Sequence, residues 1–550
     1  MNAGKEGPFV HLSSCLAYAL VQRFVRFRSD DALLREIISC ACAAGVAVAF
    51  AAPIGGVLFA LEEGSSYFPN HLIWRSFFCA TVSMLVLQFS NPYYDGKVVL
   101  FEIKDNIQWY WFEMVVFALV GALGGIVGHF FTLLNISWQK RKSRLEYVQR
   151  HPILEVFVVT LLTVAANSVH WYTEHGNDTI LTSLFNSCEN EALASGLDGY
   201  RIPNLLCNRK NVRTVLQVLG YAAVQKFFLT AITFGARIPA GLFIPSMTIG
   251  ACMGRCVGIC VYLLQRTKPQ WMLFQECGAS SDCVDAALYA IIGAAAVLAG
   301  VTQVSVSLCV IIFELTGGIS HLLPVMVAIL SAKLITNCFG SPSIYDSIVN
   351  INRYPFLDVD MEVLPDAEAG FEYRARDVMR RNVTAVLSRG MTLDGLQGLL
   401  ETTAYFGFPV IEGHDRTLVS YISRSELKLA ITRARAGGLE GHVKVRFTPT
   451  VPRDITIAEA ATRVMRKTTS LVNVAESSNP REIEFGSYLD SLVPTVFEDT
   501  PLTEVYRLFA GLGIRYCCVQ KRGYIRGVLS KKDILAYLDV RKNNVNKYFL

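Results

Sequence analysis

Charged side chains are scarce in this sequence. Only 18% of its 550 residues are Asp, Glu, Lys or Arg, while 52% are hydrophobic, and the mean hydropathy is +0.36. Soluble domains usually carry about 25% charged residues. The net charge of +5 is too small to indicate a partner nucleic acid. The composition therefore predicts a membrane protein and gives no sign of nucleic-acid binding.

Metal-ligand patterns are also missing. The 15 cysteines are scattered along the chain, and no spacing of Cys and His predicts a metal site. Cys188 with Cys207, and Cys277 with Cys283, are candidate disulfide pairs because each pair shares a loop. For the other cysteines we expect free thiols packed among apolar neighbours.

Long apolar segments fill the first two thirds of the chain, and from Pro365 onward the sequence is that of a soluble α/β protein. Three segments are long enough to cross a bilayer: Glu113 to Trp138, Ile153 to His170 and Val215 to Phe234. Three are short and broken by Gly or Pro: Pro8 to Leu20, Ala51 to Leu61 and Val304 to Glu314. Paired broken helices are typical of transporter sites near the membrane midplane.

The loop after the first long segment is strongly basic. Five cations lie between Lys140 and Arg150, and the positive-inside rule places such a loop in the cytosol. The next long loop, Trp171 to Val212, is then expected on the lumenal or extracellular side. It contains a glycosylation sequon at Asn177.

The string GKEGP at residues 4–8 opens an apolar helix. Proline suits a first helical turn, and a helix N-terminus offers free N–H groups and partial positive charge. Glu6 lies at that point, where its carboxylate can occupy an anion site and leave it when protonated. A simple helix-capping carboxylate is the alternative, but an ionisable residue inside a membrane is a functional candidate first.

Two further strings carry chemistry. GLFIP at residues 241–245 opens a second apolar segment, and the amides of Leu242 and Phe243 there can bind an anion without a cationic side chain. Adjacent carboxylates, Glu62 and Glu63, end an apolar helix at residues 51–61. They are either the membrane-surface end of that helix or a proton relay.

The tail contains an internal repeat. Residues 391–396 align with 500–505, residues 408–410 align with 517–519, and residues 423–427 align with 530–534 after a loss of two residues. Each copy predicts helix, strand, turn, strand and helix. The repeat resembles a pair of CBS modules, tandem α/β units that often bind adenine nucleotides.

Two further features follow the three membrane strings: ELTGG at residues 314–318 and the Ile344-Tyr345 pair. Together with the repeated tail, they occur in the order typical of one family. This set resembles the CLC chloride channel and transporter family, and its wording is most similar to the animal endosomal and lysosomal chloride/proton exchangers. The resemblance implies an all-α polytopic membrane domain with inverted repeats, followed by a cytosolic α/β tandem CBS domain. The boundaries expected are 1–356 for the membrane domain, 357–435 and 488–550 for the CBS modules, and 436–487 for a linker.

The resemblance also implies roles for individual residues. Glu6 matches the gating glutamate, Glu63 matches the internal proton glutamate of the exchangers, and Gly7, Leu242, Phe243 and Tyr345 match positions around the bound chloride. Tyr405, Phe406, Lys532 and Asp533 match nucleotide-contacting positions, with Asp533 as the ribose-binding acid and bound ATP, ADP or AMP expected there. Phe406 stands where relatives carry serine, which weakens the nucleotide expectation. Transport itself is expected to need no cofactor.

Family members have several helices before the GKEGP string, including a Gly-Ser-Gly-Ile-Pro motif whose serine binds the anion. The sequence begins at Met1-Asn2-Ala3 and does not include them, so we expect either a partial sequence or a short form. The function implied is voltage-dependent exchange of chloride for protons by a homodimer in endosomal or lysosomal membranes, in support of vesicle acidification; this is not an enzyme. A passive voltage-gated chloride channel and a non-transporting regulatory subunit remain alternatives. Glu63 argues against the channel.

Overall fold

The computed structural model separates the chain into two units, Met1–Tyr354 and Pro355–Leu550. It describes residues 2–24, 31–65, 68–90, 101, 109–186, 206, 211–268, 271, 274, 283–352, 354, 373–413, 416–448, 482–490 and 493–537. Among these, the first unit is helical and the second combines strands and helices. The expected fold class, a helical membrane domain followed by an α/β domain, is confirmed.

Fifteen helices of the first unit are numbered in chain order over the described residues. They are α1 Glu6–Val21, α2 Asp31–Phe50, α3 Pro53–Phe59, α4 Asn70–Ser90, α5 Glu113–Arg144, α6 Glu146–Arg150, α7 Pro152–Asn167, α8 Trp171–Glu174, α9 Asn177–Phe185, α10 Val212–Thr233, α11 Phe243–Thr267, α12 Ala286–Thr302, α13 Val306–Thr316, α14 Leu322–Cys338 and α15 Ile344–Ile351. Helix α3 continues into a wider π turn at Ala60–Gly64.

Five of the described helices are long and apolar enough to cross a membrane: the Leu33–Phe50 part of α2, and α4, α5, α10 and α11. Shorter apolar helices, α7, α12, α13 and α14, lie among them. Two of the three long segments expected from the sequence lie in α5 and α10, whereas the segment from Ile153 to His170 forms the shorter helix α7. Two of the broken segments, α1 and α3, have a proline in the first turn, at Pro8 and Pro53.

Helix α12 is the centre of the membrane unit, since every residue from Ala287 to Thr302 is buried. Glycines let its neighbours touch its backbone. A Cβ on Gly250 of α11 would lie 2.2 Å from the carbonyl oxygen of Gly293, and one on Gly128 of α5 would lie 2.2 Å from the carbonyl carbon of Gly300. No side chain fits in such gaps, so these glycines serve close helix packing.

The end of α10 is held by side chains of α5. The amide nitrogen of Asn135 donates to the carbonyl oxygens of Ala231 and Phe234 at 2.8 and 2.9 Å. Lys142 contacts the carbonyl of Gly235 and pairs with Glu155 of α7 at 3.0 Å, with both side chains mostly buried. The unpaired carbonyls of a helix C-terminus thus find donors within the protein.

The second unit contains α16 Ala375–Val378, α17 Leu393–Thr402, α18 Arg424–Ala436 and α19 Leu502–Leu512. Its strands are β1 Val386–Leu387, β2 Arg389–Thr392, β3 Gly407–Glu412, β4 Thr417–Ser423, β5 Lys444–Arg446, β6 Glu482–Glu484, β7 Thr495–Phe497, β8 Tyr516–Lys521 and β9 Tyr524–Ser530. They form a six-stranded sheet of order β1-β3-β4-β9-β8-β7 and a three-stranded sheet of order β2-β5-β6.

The internal repeat appears as two matching hairpins. In the first, Phe408 lies opposite Ile422; in the second, Cys517 lies opposite Leu529. The second hairpin turns in fewer residues, which accounts for the two lost positions. The segment expected to be a linker contributes more than expected, because β5 and β6 pair with each other and bring Val445 and Ile483 into the core of the first module.

Cys283 is disulfide-bonded. Its expected partner Cys277, and the expected pair Cys188 and Cys207, lie outside the described residues. The free cysteines among the described residues include buried Cys42, Cys252 and Cys309 in the membrane helices, as expected for thiols packed among apolar neighbours.

Candidate anion and proton site

Two helix N-termini meet at the start of the chain. Helix α1 begins at Glu6 and helix α11 at Phe243. The residues just before them are joined by two backbone hydrogen bonds, from Gly4 to Gly241 at 2.8 Å and from Gly241 to Gly4 at 3.1 Å. This bridge fixes the two helix ends against each other.

The carboxylate of Glu6 lies at the N-terminus of α11. Its Oε1 accepts a hydrogen bond from the backbone N–H of Phe243 at 2.6 Å, and the amide of Ile244 also interacts with it. The side chain is buried, and Oε2 has no hydrogen-bond partner among the described residues. A negative group thus occupies a place where free amides and the helix dipole favour an anion.

Glycines shape the space around this carboxylate. A Cβ on Gly4 would lie 2.2 Å from Oε2 of Glu6, and one on Gly241 would lie 2.2 Å from its carboxyl carbon. A Cβ on Gly7 would lie 3.0 Å from the backbone of Ala240 and Gly241. The glycines of both sequence strings are therefore required by the close approach of backbone and carboxylate.

The amides that face Glu6 are those of Phe243 and Ile244, one residue beyond the expected pair of Leu242 and Phe243. Leu242 precedes the helix and its carbonyl accepts from the N–H of Ser246 at 3.0 Å. Leu242 is buried beside the site, so its role in binding chloride stays a prediction.

Tyr345 lies in the first turn of α15 and packs against two hydrophobic clusters of the membrane unit, one that includes Phe243 and one that includes Leu242. Its phenol interacts electrostatically with Glu63 and with Glu6. The roles of Tyr345 and Glu63 in transport stay predictions.

The loop that leads to Tyr345 is held from two sides. His129 of α5 contacts the hydroxyl of Ser341, and its ring stacks on Phe339 with centroids 4.7 Å apart. Gln303 donates to the carbonyl of Ser341 at 2.5 Å. The sequence did not point to these residues, since no local pattern marks a contact across 212 positions.

Glu62 and Glu63 both belong to the π turn at Ala60–Gly64, but they face different neighbours. Oε1 of Glu62 accepts from the N–H and the hydroxyl of Ser305 at 2.8 and 2.9 Å. Oε2 accepts from the N–H and the hydroxyl of Ser307 at 3.0 and 2.7 Å. Glu62 thus caps the N-terminus of α13.

The cap is reciprocal. Glu314, near the end of α13, accepts from the N–H groups of Ile54 and Gly55 at 3.1 and 2.8 Å, and these residues open α3. Each helix therefore ends in a carboxylate that caps the other. Ser305 immediately before α13 is a recognisable start signal for a helix, but nothing in the sequence pointed to Glu62 as the partner.

Asn177 begins α9. Its amide nitrogen donates to Oδ1 of buried Asn2 at 2.9 Å, and Asn2 in turn donates to Thr230 at 2.6 Å. A glycan on that nitrogen would compete with this contact, so glycosylation at Asn177 stays a prediction that the geometry disfavours.

In the second unit, Tyr405 and Phe406 are 45% and 52% exposed, at the start of β3. The guanidinium of Arg515 lies 5.1 Å from the Phe406 ring centroid. Asp533 accepts from the N–H of Ser530 at 3.0 Å and forms an ion pair with Arg380 at 2.5 Å. Two exposed aromatic groups are thus available, whereas the acid already has partners, and nucleotide binding by these residues and Lys532 stays a prediction.

Residues 1–337 match the family described as voltage gated chloride channel. The chain belongs to this family. Residues 488–540 match the CBS domain, so the tail resemblance is confirmed for the second module. Among the described residues of this chloride channel family member, no group of three His, Cys, Asp or Glu side chains is placed to hold a metal ion.

The chain is similar to proteins named H(+)/Cl(-) exchange transporter 3 and 5. It is 37% identical to the mouse transporter 3 over 98% of this chain and 64% of that protein. It is 35% identical to the human transporter 5 over 98% of this chain and 65% of that protein. The chain thus spans a little under two thirds of the length of these relatives.

Solved structures agree on the fold. A eukaryotic CLC transporter covers 97% of this chain and 77% of its own, with a TM-score of 0.57 at 22% identity. A slow cyanobacterial Cl-/H+ antiporter covers 64% of this chain and 72% of its own, with a TM-score of 0.50 at 19% identity. At such identities the likeness concerns the fold alone.

Proposed function

We propose that this chain is the transport core of a voltage-dependent chloride/proton antiporter of intracellular membranes. The observation that carries the proposal is the 2.6 Å hydrogen bond from the Phe243 amide to the buried carboxylate of Glu6. A carboxylate in that position closes the anion site while ionised. It releases the site when it takes a proton, because the neutral acid loses most of its attraction to the helix end.

Proton coupling requires a second acid on the other side of the anion site. Glu63 fills that role, since it and Glu6 both interact with Tyr345. In the proposed cycle, chloride occupies the amides of α11 when Glu6 is displaced, and protons pass between Glu63 and Glu6. No covalent intermediate forms, so the protein is a transporter. The similarity to exchange transporters 3 and 5 supports this assignment.

The test is Glu63→Ala in protein reconstituted into liposomes, with chloride and proton fluxes measured together. We expect proton transport to disappear and chloride flux to remain. Glu174→Ala, which removes an exposed carboxylate at the end of α8, is the matched control and keeps both fluxes. Proton transport that survives in Glu63→Ala would refute the assignment.

Two alternatives make different predictions. A passive chloride channel shows no proton movement in the wild-type protein, and Glu63 is the feature that disfavours it. A non-transporting regulatory subunit shows no flux of either ion but associates with a longer family member. The same liposome measurement separates all three.

A homodimer is proposed from the family resemblance and from an exposed apolar face on α3 and α4. Ile54, Ile73, Trp74 and Phe77 on this face are each exposed by 39% or more. Within a membrane such a face contacts lipid or a second subunit. Chemical cross-linking of the reconstituted protein distinguishes a dimer from a monomer.

The compartment and the nucleotide are proposed on narrower grounds. Endosomal or lysosomal membranes follow from the resemblance to that branch, where chloride entry offsets the charge of pumped protons; co-localisation of the tagged protein with compartment markers tests this. ATP, ADP or AMP is proposed to bind near Tyr405, Phe406, Lys532 and Asp533, because CBS pairs often bind adenine nucleotides. Asp533→Ala is expected to weaken binding of a labelled ATP.

A further inference from the structure

The two neighbouring glutamates of the π turn divide two tasks between them. In a regular α-helix, consecutive side chains diverge by about 100° because the helix has 3.6 residues per turn. The π turn at Ala60–Gly64 accommodates one residue more than an α-helical turn. In this wider turn, contacts with a neighbouring helix can decide where each of the two carboxylates points.

Glu62 provides that anchor. Its two oxygens accept four hydrogen bonds from Ser305 and Ser307, between 2.7 and 3.0 Å. A carboxylate offers about four acceptor positions, so this one is saturated. Lys333 of α14 reaches the Ser305 hydroxyl at 3.2 Å and adds positive charge nearby. Glu62 is thus held in its ionised form and is not suited to carry protons.

Glu63 follows Glu62 in the same π turn, so the bonds that hold Glu62 also fix the backbone that carries Glu63. The other end of α3 is also fixed, because Glu314 caps it through Ile54 and Gly55. The two ends of α3 are thus tied to α13 by separate carboxylates, and the end that carries Glu63 is the one held by Glu62.

We propose that Glu62 is a positioning residue for proton transfer. Its carboxylate anchors the π turn on the N-terminus of α13 and so fixes the position of Glu63, the next residue of that turn. The inference rests on the proposed exchange function, in which Glu63 takes up the proton. It assigns to Glu62 a part that the sequence alone left undecided between two carboxylates.

The test is Glu62→Gln in the whole chain, reconstituted into liposomes, with the proton-to-chloride ratio obtained from the reversal potential. The amide group of glutamine presents N–H groups to the N–H of Ser305 or Ser307, so at least one charge-assisted bond is replaced by repulsion. Loss of one such bond changes the ratio of anchored to released turn by about tenfold. We expect the proton flux per chloride to fall by about that factor while chloride flux continues.

Glu314→Gln is the matched control. It makes the same chemical change in the reciprocal cap, but Glu314 bonds to Ile54 and Gly55 at the far end of α3 from Glu63. We expect it to lower thermal stability and to leave the proton-to-chloride ratio unchanged. A change in the proton-to-chloride ratio indicates that Glu63 has been displaced. If Glu62 only stabilised the fold, its replacement would lower thermal stability and leave the ratio unchanged.

A second variant covers the case in which Glu62→Gln does not fold. Ser305→Ala with Ser307→Ala removes the two hydroxyl donors and keeps the two backbone donors, so a smaller fall in the same ratio is expected. A wild-type ratio in Glu62→Gln, or in the serine double variant if Glu62→Gln does not fold, overturns the proposal. Coupled transport in Glu63→Gln overturns the proposed function instead, and a wild-type protein that moves chloride without protons overturns both.

Discussion

Replacing Gly241 by alanine tests the anion site without replacing a titratable residue. The new Cβ would lie 2.2 Å from the carboxyl carbon of Glu6, where ordinary contacts begin at about 3.4 Å. The carboxylate must therefore withdraw by more than about 1 Å, which breaks its 2.6 Å bond to the Phe243 amide.

The size of the effect follows from that bond. A hydrogen bond to a charged group contributes about 1.5–3 kcal/mol, so the balance between seated and displaced Glu6 shifts by about ten- to one-hundred-fold. In voltage-clamped membranes or liposomes, Gly241→Ala is expected to conduct chloride with weakened voltage dependence and weakened proton coupling. Removal of the Glu6 side chain in Glu6→Ala should act in the same direction.

Gly220→Ala is the control. It lies in α10, and a Cβ there would meet no atom within 4 Å, so alanine should fit and favour the helix. If Gly241→Ala keeps the voltage dependence and proton coupling of the wild type, the carboxylate is not held at the α11 N-terminus as the distances indicate, and the argument for its gating role fails.

Two further predictions concern stability. Burial raises the pKa of the Cys517 and Cys518 thiols to about 12, so the folded tail binds these protons more tightly than the unfolded chain. This contribution to the stability of the tail is complete below about pH 9 and is lost as pH rises toward 12. Protease resistance of the tail, measured in the whole chain, should therefore fall from pH 8 to pH 10. The fall should be smaller in the double variant Cys517→Ala with Cys518→Ala. An equal fall in both proteins would contradict this. Separately, Lys142→Met leaves Glu155 buried without its 3.0 Å partner, and we expect a loss of about 3–5 kcal/mol of stability, measured by thermal unfolding in detergent. Adding Glu155→Leu should restore part of it, and a double variant no more stable than the single one would refute the pairing argument.

Local sequence signals located the main elements of the site. Glycine and proline at residues 4–8 and 241–245 predicted helix N-termini inside the membrane, and Glu6 does lie at such an end. The tail hairpins were predictable because the two copies of the repeat show the same pattern of apolar and turn residues. Those predictions succeeded because backbone conformation and helix capping are decided by residues close in sequence.

The remaining contacts could not be predicted because they join distant residues. Glu62 meets its serines across more than 240 positions, and nothing beside it in the sequence separates it from Glu63. The same holds for Asn177, whose tripeptide predicts a glycan while its amide contacts Asn2 at the far end of the unit. The strands β5 and β6 were missed because each has three residues and takes its stability from its neighbours in the sheet.

The backbone contacts of α12 have a kinetic consequence. Helices α5 and α11 touch it at glycines with no space for a methyl group, so none of the three can slide or rotate without collision. Large helix movements in proteins take microseconds to milliseconds, whereas side-chain rotations take picoseconds to nanoseconds. In the proposed transport cycle the moving group at the anion site is then the Glu6 carboxylate, and because its rotation is fast we expect proton arrival to limit turnover.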